Sequence, residues 1–495
     1  MSRRRLVLAW VLGALAAVVA VAIVLAVRGD EDDGDATLER SATSTTMTTE
    51  PTTTSTLPPG QPGAPGVGDA YFPGLGNGGY DVAHYDLSLE WNPDDGTLSA
   101  LTTIEASATQ DLSTFNLDLS GLTVVSVEVD GEPAQAAHQD RELQITPAEP
   151  IRAGERFTTA VAYGGAPRPV SDGTDLFDVG WQTDGREAYV VSEPTGASTF
   201  FPVNDHPTDK ATYAFEVTVP AGQVAATNGL LVEQRDTGDG RTTWVYEARD
   251  PMASYLVQVA IGDYELVDAG TVGDVRVRHV LHRSFAAAAR STVARTAEMI
   301  DVLDDVFGPY PFEAYGVVAV NEPLGFALET QTLTIIGRDV GTSGRDADGI
   351  LLHELAHQWV GNSVSPGAWR DIWLNEGFAT YSEWLWSERT GGHSAADLAR
   401  GFSRAGGLDL PPGEPGNREL FARSVYLRGG MTLQALRETI GDDAFFGLLR
   451  RWIEAHRYDD ATTADFVALA EEVSGQQLDG LFDAWLYGPR LPGFG

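Results

Sequence analysis

The sequence contains no cysteine among its 495 residues. Disulfide bonds and thiolate metal ligands are therefore impossible. This absence does not identify the cellular compartment, because an exported protein with a large core can fold without disulfides. A chain of this length is long enough for two or three domains, each with its own core.

Basic residues are also scarce, with 33 Lys and Arg against 71 Asp and Glu, for a formal net charge of −38. Lys210 is the single lysine. This balance argues against a nucleic-acid binder, since such proteins need cationic contacts to phosphates. An acidic surface aids solubility and would modestly attract cationic ligands, including the ammonium termini of peptides.

An uncharged run of 22 residues, from Leu6 to Val27, follows three arginines near the N-terminus. Its length matches the roughly 20 residues that cross a bilayer as a helix. It exceeds the apolar core of about 7–15 residues in a cleavable signal peptide, which is the alternative. We therefore expect a cytoplasmic tail at 1–5, a single-pass membrane anchor at 6–27 and the bulk of the chain outside the cytoplasm.

The rest of the chain divides by composition and by the period of its apolar residues. Residues 28–68 are rich in Ser, Thr and Pro, which predicts a disordered linker. Residues 69–268 show alternating apolar and polar runs separated by turns, which predicts an antiparallel β-sheet domain. In residues 269–495 helical spacing becomes dominant, so the predicted fold class is α+β multidomain. Helices are predicted at 283–307, 442–456, 463–473 and 477–486.

Residues 353–357 read HELAH, which places His353 and His357 on one face of a predicted helix. A catalytic zinc ion needs three protein ligands and one open position, and Glu376, nineteen residues after His357, can supply the third. Glu354 could take a proton from the water in the open position. The alternative is a structural helix with two hydrogen-bonded histidines.

Two segments carry a family resemblance, LLHELAHQWVGNSV at 351–364 and WLNEGFATY at 373–381. They resemble the gluzincin zinc aminopeptidases, a family that includes aminopeptidase N and the leukotriene-hydrolase-type enzymes. Further similar stretches at 201–213 and 251–257 extend the resemblance over about 191–436. It implies a β domain followed by a thermolysin-like α/β zinc peptidase domain, with one zinc ion per chain.

The resemblance also implies roles for individual residues. A zinc-activated water would attack the N-terminal peptide bond of a peptide, with Glu354 as the general base. The implied zinc ligands are His353, His357 and Glu376.

The segment GFALET at 325–330 resembles the family's exopeptidase motif, although Phe326 stands where the family has Gly. This implies that Glu329 binds the α-ammonium group of the substrate, and Glu193 falls where the family places a second carboxylate for that group. Tyr426, in VYLRGG, resembles the tyrosine that hydrogen-bonds the oxyanion. The alternatives are ordinary structural roles for all three side chains.

The sequence thus predicts a membrane-anchored zinc aminopeptidase acting on peptides with a free N-terminus. The alternatives are a catalytically silent peptide-binding surface protein and an epoxide-hydrolase-type activity on the same fold. The family's longer members carry a further helical domain, whereas this chain stops at Gly495, so we expect a more open active site. The preferred N-terminal residue and the oligomeric state do not follow from the sequence.

Overall fold

The computed structural model describes residues 60–174, 177–404 and 406–494. The predicted tail and anchor, and residues 28–59 of the predicted linker, lie outside the described residues. Within the described ranges, no helix has both the length and the apolar character needed to span a bilayer.

The first part of the described chain is built from strands, as predicted. An eight-stranded sheet has the order β14-β15-β12-β2-β3-β9-β5-β6, and two four-stranded sheets have the orders β1-β4-β8-β7 and β10-β11-β16-β13. The strands are β1 (Gln61–Pro62), β2 (Tyr80–Asn92), β3 (Thr97–Ala108), β4 (Leu112–Asp118), β5 (Thr123–Val129), β6 (Glu132–Pro133), β7 (Gln135–Gln139), β8 (Glu142–Thr146), β9 (Arg156–Gly165), β10 (Gly180–Thr183), β11 (Ala188–Val191), β12 (Lys210–Pro220), β13 (Val224–Thr227), β14 (Leu230–Asp236), β15 (Arg241–Ala253) and β16 (Val259–Gly262).

Strand β2 shows why these residues form a sheet with one buried face. Its residues alternate between buried and exposed along most of the strand, so the apolar side chains share one side. Trp91 of β2 packs against Trp181 of β10, with ring centroids 5.3 Å apart. The core of this part therefore lies between the eight-stranded sheet and the sheet that contains β10.

The prediction of a purely antiparallel domain is wrong at one central pair. Strand β12 runs parallel to β2, with Thr212 opposite His84 and Thr218 opposite Glu90. Parallel neighbours need a long connection, and the residues between β2 and β12 supply one. Both strands alternate in the same way in either direction, so the pattern alone does not distinguish the two arrangements.

The second part combines a mixed sheet with helices. The sheet has the order β17-β18-β20-β22-β21, with β19 also paired to β18. Its strands are β17 (Tyr264–Val272), β18 (Val275–His282), β19 (Ala314–Tyr315), β20 (Val317–Ala319), β21 (Ala327–Leu328) and β22 (Thr334–Ile336); a separate pair is β23 (Val364–Pro366) and β24 (Asp459–Ala461). The helices are α1 (Ala286–Thr292), α2 (Thr296–Phe307), α3 (Arg338–Gly341), α4 (Asp348–Ala356), α5 (Trp373–Arg389), α6 (Ala395–Phe402), α7 (Arg423–Ile440), α8 (Asp442–Ala455), α9 (Thr463–Ser474) and α10 (Asp479–Phe482).

The predicted domain boundary at 268 falls inside β17. That strand pairs with β18 from Tyr264 opposite His282 to Val272 opposite Val275, so the hairpin belongs to the second sheet. The predicted helix 283–307 is interrupted by a 3-10 turn at Val293–Arg295. Helices α8 and α9 match their predictions closely, and the last predicted helix is a short α-helix followed by a π-helical turn at Asp483–Tyr487.

The prediction of disorder up to residue 68 is wrong for residues 60–68. The Gln61 amide donates to Asp111 O over 2.8 Å, and the Gly63 amide donates to Thr114 O over 2.8 Å. A Cβ at Gly60 would lie 2.6 Å from the Leu112 carbonyl carbon, so glycine permits this close approach. The Gly and Pro residues of this segment suggest a linker by their composition. In the structure they belong to an edge strand that packs closely against its neighbour.

Asp69 then joins this segment to the second part of the molecule. Its carboxylate accepts hydrogen bonds from the Tyr71, Phe72 and Trp369 amides, the last over 2.9 Å, and lies 3.5 Å from His206 Nε2. Burial opposes ionisation, but these hydrogen bonds outweigh it and lower the pKa of Asp69 to about 2.

Candidate active site

Helices α4 and α5 bring the three predicted metal ligands together. His353 lies in the last turn of α4, His357 follows directly at its C-terminus, and Glu376 lies in the first turn of α5. Leu351, Leu352 and Leu355 of α4 are buried in the core, which fixes the helix. The two imidazole rings therefore lie side by side, with centroids 4.8 Å apart.

The spacing of these ligand atoms suits a zinc ion. Glu376 Oε2 lies 3.2 Å from His353 Nε2 and 3.6 Å from His357 Nε2. In a tetrahedral site with bonds of about 2.0–2.2 Å, ligand atoms are separated by roughly 3.3–3.5 Å. One ligand atom from each of the three side chains lies within 4.8 Å of the others. The three groups can therefore reach one ion without rearrangement of the backbone.

The outer nitrogens of both histidines are already engaged. His353 Nδ1 lies 2.8 Å from Glu383 Oε1, and His357 Nδ1 donates to Val360 O over 3.0 Å. With a proton held on each Nδ1, Nε2 is the nitrogen that faces Glu376 and that can bind a metal ion once its own proton has left. No sequence motif singles out Glu383, although it lies two helical turns after Glu376 on the same face of α5.

Burial and mutual interactions shift the pKa values throughout this cluster. Burial raises the pKa of Glu354 to about 8 and the pKa values of Glu193 and Glu329 above their usual range, which favours their neutral forms. Burial also opposes ionisation of Glu376, but His357 and His353 outweigh it and lower its pKa to about 2. The pKa of His357 rises to about 9, since Glu329 and Glu376 overcome the opposite effect of its burial. Glu376 is therefore the ionised carboxylate of the cluster, and a divalent cation would take the place of the protons held by the histidines.

All seven predicted site residues line one cavity of about 220 Å³. They are His353, Glu354, His357, Glu376, Glu193, Glu329 and Tyr426. The remaining lining is apolar and comes from Phe177, Phe326, Ala327, Leu328 and Phe421. Phe177 and Phe421 lie outside every motif, so the sequence alone does not identify them as cavity residues.

Glu193 and Glu329 reach this cavity from different parts of the molecule. Glu193 follows β11, whereas Glu329 follows β21 of the second sheet. Both side chains are buried, and within the described part of the chain their Oε1 atoms have no hydrogen-bond partner. A buried carboxylate oxygen without a partner is costly, so this end of the cavity is suited to a hydrogen-bonding cation.

The backbone at Glu329 is held in place by the segment that follows α4. Its carbonyl oxygen accepts hydrogen bonds from Gln358 Nε2 over 2.9 Å and from Asn362 Nδ2 over 2.7 Å. Lys210 of β12 supports the same segment, since its Nζ donates to the carbonyl oxygens of Asn362, Ser363 and Asp459 over 3.0, 2.9 and 2.8 Å. The single lysine therefore ties the β-rich part to the loop beside the metal ligands.

Tyr426 lies on α7 and stacks against His353, with ring centroids 5.9 Å apart and planes at 21°. A close helix contact brings α7 to the site, since a Cβ at Gly377 of α5 would lie 2.9 Å from Gly429 Cα of α7. Burial raises the pKa of Tyr426 well above its ordinary value. The phenol therefore keeps its proton and can donate a hydrogen bond into the cavity.

A β domain that shares a cavity with a helical domain carrying two histidines and a glutamate defines the class of two-domain metallopeptidases. The Peptidase M1 N-terminal domain model matches residues 82–256, and the Peptidase family M1 domain model matches residues 292–405 and 413–485. The chain belongs to peptidase family M1.

Solved structures agree with this assignment. The M1 zinc metallopeptidase from Deinococcus radiodurans is 35% identical, with a TM-score of 0.80, and the match covers 86% of this chain and 98% of that one. A mutant M1 zinc metallopeptidase from the same organism, bound to a Tyr-Ser-Ala substrate, is also 35% identical, with a TM-score of 0.80 and coverage of 86% and 99%.

Curated relatives are longer. Human endoplasmic reticulum aminopeptidase 1 is 26% identical over 420 residues, which cover 77% of this chain and 44% of that protein. The chain spans about half the length, or less, of the curated relatives it matches first.

Proposed function

We propose that the chain is a membrane-anchored zinc aminopeptidase that removes the N-terminal residue of peptides. One observation carries this proposal: Glu193 and Glu329 each have a buried Oε1 atom without a hydrogen-bond partner in the described part of the chain, and both share a cavity with His353, His357 and Glu376. A metal site beside two buried carboxyl groups is the combination that an exopeptidase specific for free N-termini requires.

One zinc ion per chain would be held by His353, His357 and Glu376. When bound, zinc supplies a Lewis acid that polarises the scissile carbonyl and lowers the pKa of water. The ligand spacing and the engaged outer nitrogens support this choice, because both suit a tetrahedral site with one open position.

Glu354 and Tyr426 would carry the proton transfer and the charge stabilisation. Glu354 neighbours His353 on α4 and lines the cavity, so it can accept the proton of the attacking water and deliver it to the leaving amine. Tyr426 would donate its phenolic hydrogen to the oxyanion that develops on the scissile carbonyl.

Glu193 and Glu329 would bind the substrate's α-ammonium group and so determine where the chain is cut. A charged hydrogen bond to a free amine offsets the cost of these buried carboxylates, whereas an internal amide leaves them unpaired. The Tyr-Ser-Ala substrate in the Deinococcus structure supports a peptide as the substrate class. An N-terminally acetylated peptide should not be cleaved.

Membrane attachment rests on the sequence alone. The uncharged run at 6–27 and the arginines before it support a single-pass anchor with a cytoplasmic N-terminus. The test is protease treatment of intact cells that produce the full chain with an epitope at its C-terminus. External digestion of the epitope is expected; an epitope protected until the membrane is permeabilised would refute this orientation.

The test of the activity uses the full chain in detergent with one equivalent of zinc. Hydrolysis of an aminoacyl-amide substrate is expected, with loss of turnover on addition of a chelator and recovery on return of zinc. A free-amine tripeptide and its acetylated form are compared in the same assay. Cleavage of both at similar rates would overturn the aminopeptidase assignment, and zinc binding without any turnover would overturn the enzyme assignment.

A further inference from the structure

The side chains that line the cavity are of two chemical kinds. Seven are ionisable, namely His353, His357, Glu354, Glu376, Glu193, Glu329 and Tyr426. The other five are apolar, and three of them are phenylalanines. The proposed function gives these five no role in binding the metal or the ammonium group.

Phe177 and Phe326 contact each other within the apolar lining. Their rings are stacked, with centroids 4.3 Å apart and planes at 8°. Phe177 lies just before β10 of the β-rich part, whereas Phe326 lies just before β21. Both side chains are only partly buried, so each ring keeps a face or an edge open to a ligand.

The position of the ammonium group limits where the first side chain of a substrate can go. Its Cα must lie next to Glu193 and Glu329, while the scissile carbonyl faces the metal ligands. The side chain on that Cα is then left with the apolar lining around Phe326, Ala327 and Leu328. No charged residue among the described lining remains to pair with a basic or an acidic side chain there.

We propose that the stacked pair Phe177 and Phe326 selects peptides whose N-terminal residue is large and apolar or aromatic. This inference rests on the proposed aminopeptidase function and names its substrate class. Stacking against an existing aromatic pair and burial of apolar area both increase with the size of the incoming side chain. The glutamates of the cavity are not free to pair with an arginine side chain of the substrate. In the proposed function, Glu193 and Glu329 bind the ammonium group, Glu376 binds the metal and Glu354 transfers the proton.

The test compares kcat/KM for aminoacyl-amides of Phe, Leu, Ala, Arg and Asp on the zinc-loaded full chain. A hydrophobic pocket distinguishes side chains by roughly tenfold or more for each methylene-sized step, so Phe over Ala by about 100-fold is expected. Equal or better turnover of the Ala or Arg substrate would overturn the proposal.

Three variants locate the preference. Phe177→Ala and Phe326→Ala should each lower the Phe-to-Ala ratio of kcat/KM by about tenfold, because the loss falls mainly on the Phe substrate. Phe446→Ala is the matched control, because Phe446 is a partly buried phenylalanine on α8 outside the cavity and its loss should leave the ratio unchanged. An unchanged ratio in both cavity variants would refute the assignment to these rings.

Binding of free amino acids separates this proposal from the proposed function. L-phenylalanine carries the ammonium group and the side chain without a bond to cleave, so its Kd can be measured by calorimetry even if no substrate is hydrolysed. It should bind about 100-fold more tightly than L-alanine, and Phe326→Ala should remove about tenfold of that difference. Equal Kd values for the two amino acids would refute the inference whatever the activity.

Discussion

Two groups of polar side chains line the cavity, and their atoms differ in how many hydrogen-bond partners they have. We call His353, His357 and Glu376 the metal end, and Glu193 and Glu329 the ammonium end, after their proposed roles. At the metal end, the outer nitrogens of His353 and His357 contact Glu383 and Val360, and the inner ones face Glu376. At the ammonium end, Glu193 and Glu329 each present a buried oxygen that has no partner within the described chain. The metal end therefore suits a metal ion that stays bound. The ammonium end suits a cationic group of a substrate, which binds and then leaves.

The two ends also differ in where their residues come from. The metal end is built from two consecutive helices of one domain. The ammonium end joins a residue of the β domain to a residue of the catalytic sheet, so it exists only when the two domains are packed together. Metal binding should therefore depend mainly on the two helices that carry the ligands. Substrate recognition should also depend on how the two domains pack together.

The largest expected effect comes from removing the base between the two ends. Glu354→Gln keeps the shape but cannot accept a proton, so kcat should fall by about 10³-fold while the zinc content stays at that of the wild type. Steady-state kinetics with metal analysis checks this, and the exposed Glu414→Gln serves as the control. A loss of zinc in Glu354→Gln would show that the metal end depends on this carboxylate as well.

A change at the ammonium end should affect recognition and leave the metal in place. Glu329→Gln removes one charged hydrogen bond to the substrate, worth about 1.5–3 kcal/mol, so kcat/KM should fall by about 10- to 100-fold. Glu193→Gln should act in the same direction, and the double variant should lose less than the product of the two, because both contact one group. Fully independent effects would contradict a shared ammonium site.

Asp69 tests the junction between the segment that begins at residue 60 and the second part of the molecule. Its pKa of about 2 in the folded protein lies below the ordinary 3.8, so the ionised carboxylate stabilises the fold above pH 4 and this stabilisation is lost as the pH falls from about 4 to 2. Asp69→Asn should lower the free energy of unfolding by about 2 kcal/mol at pH 7. Urea unfolding at pH 7, 4 and 3 should show that the difference in free energy of unfolding between the wild type and Asp69→Asn becomes smaller as the pH falls. A difference that stays constant would show that ionisation of Asp69 does not cause it.

The smallest expected effect comes from changing Glu383, which contacts the outer nitrogen of His353. Glu383→Gln keeps an acceptor for His353 Nδ1 but removes its charge, so zinc affinity should weaken by about tenfold. Competition with a chelator of known affinity measures this, and kcat at saturating zinc should change little. Unaltered affinity would mean that the helices alone orient His353.

Spacing along a helix predicts that His353 and His357 share one face, whereas Glu376 was predicted from its motif on a second helix. The structure places one ligand atom from each of the three side chains within 4.8 Å of the others. Glu193 was accessible only through a resemblance, since its approach to Glu329 depends on domain packing. Phe177 and Phe421 carried no signal, because apolar residues outside a motif look alike whether they face a core or a cavity.

The same distinction explains the errors in the fold. Alternation predicts strands such as β2 and β12 but contains no information on their relative direction, so their parallel pairing was missed. Residues 60–68 resemble a linker in composition, yet glycine at position 60 allows the close backbone contact that orders them. The composition of a segment indicates how flexible that segment would be on its own. It contains no information on the hydrogen bonds and contacts that the rest of the folded chain offers.

The contact between Gly377 and Gly429 has a consequence for engineering this protein. Replacing a helical glycine by alanine is an ordinary route to higher thermostability, worth up to about 1 kcal/mol per site. Here a single added methyl group on α5 would meet the backbone of α7 at 2.9 Å and act as a spacer between the helices. A library selected for heat resistance alone should therefore exclude both positions, because the variants that gain helix propensity there would move Tyr426 away from the metal ligands.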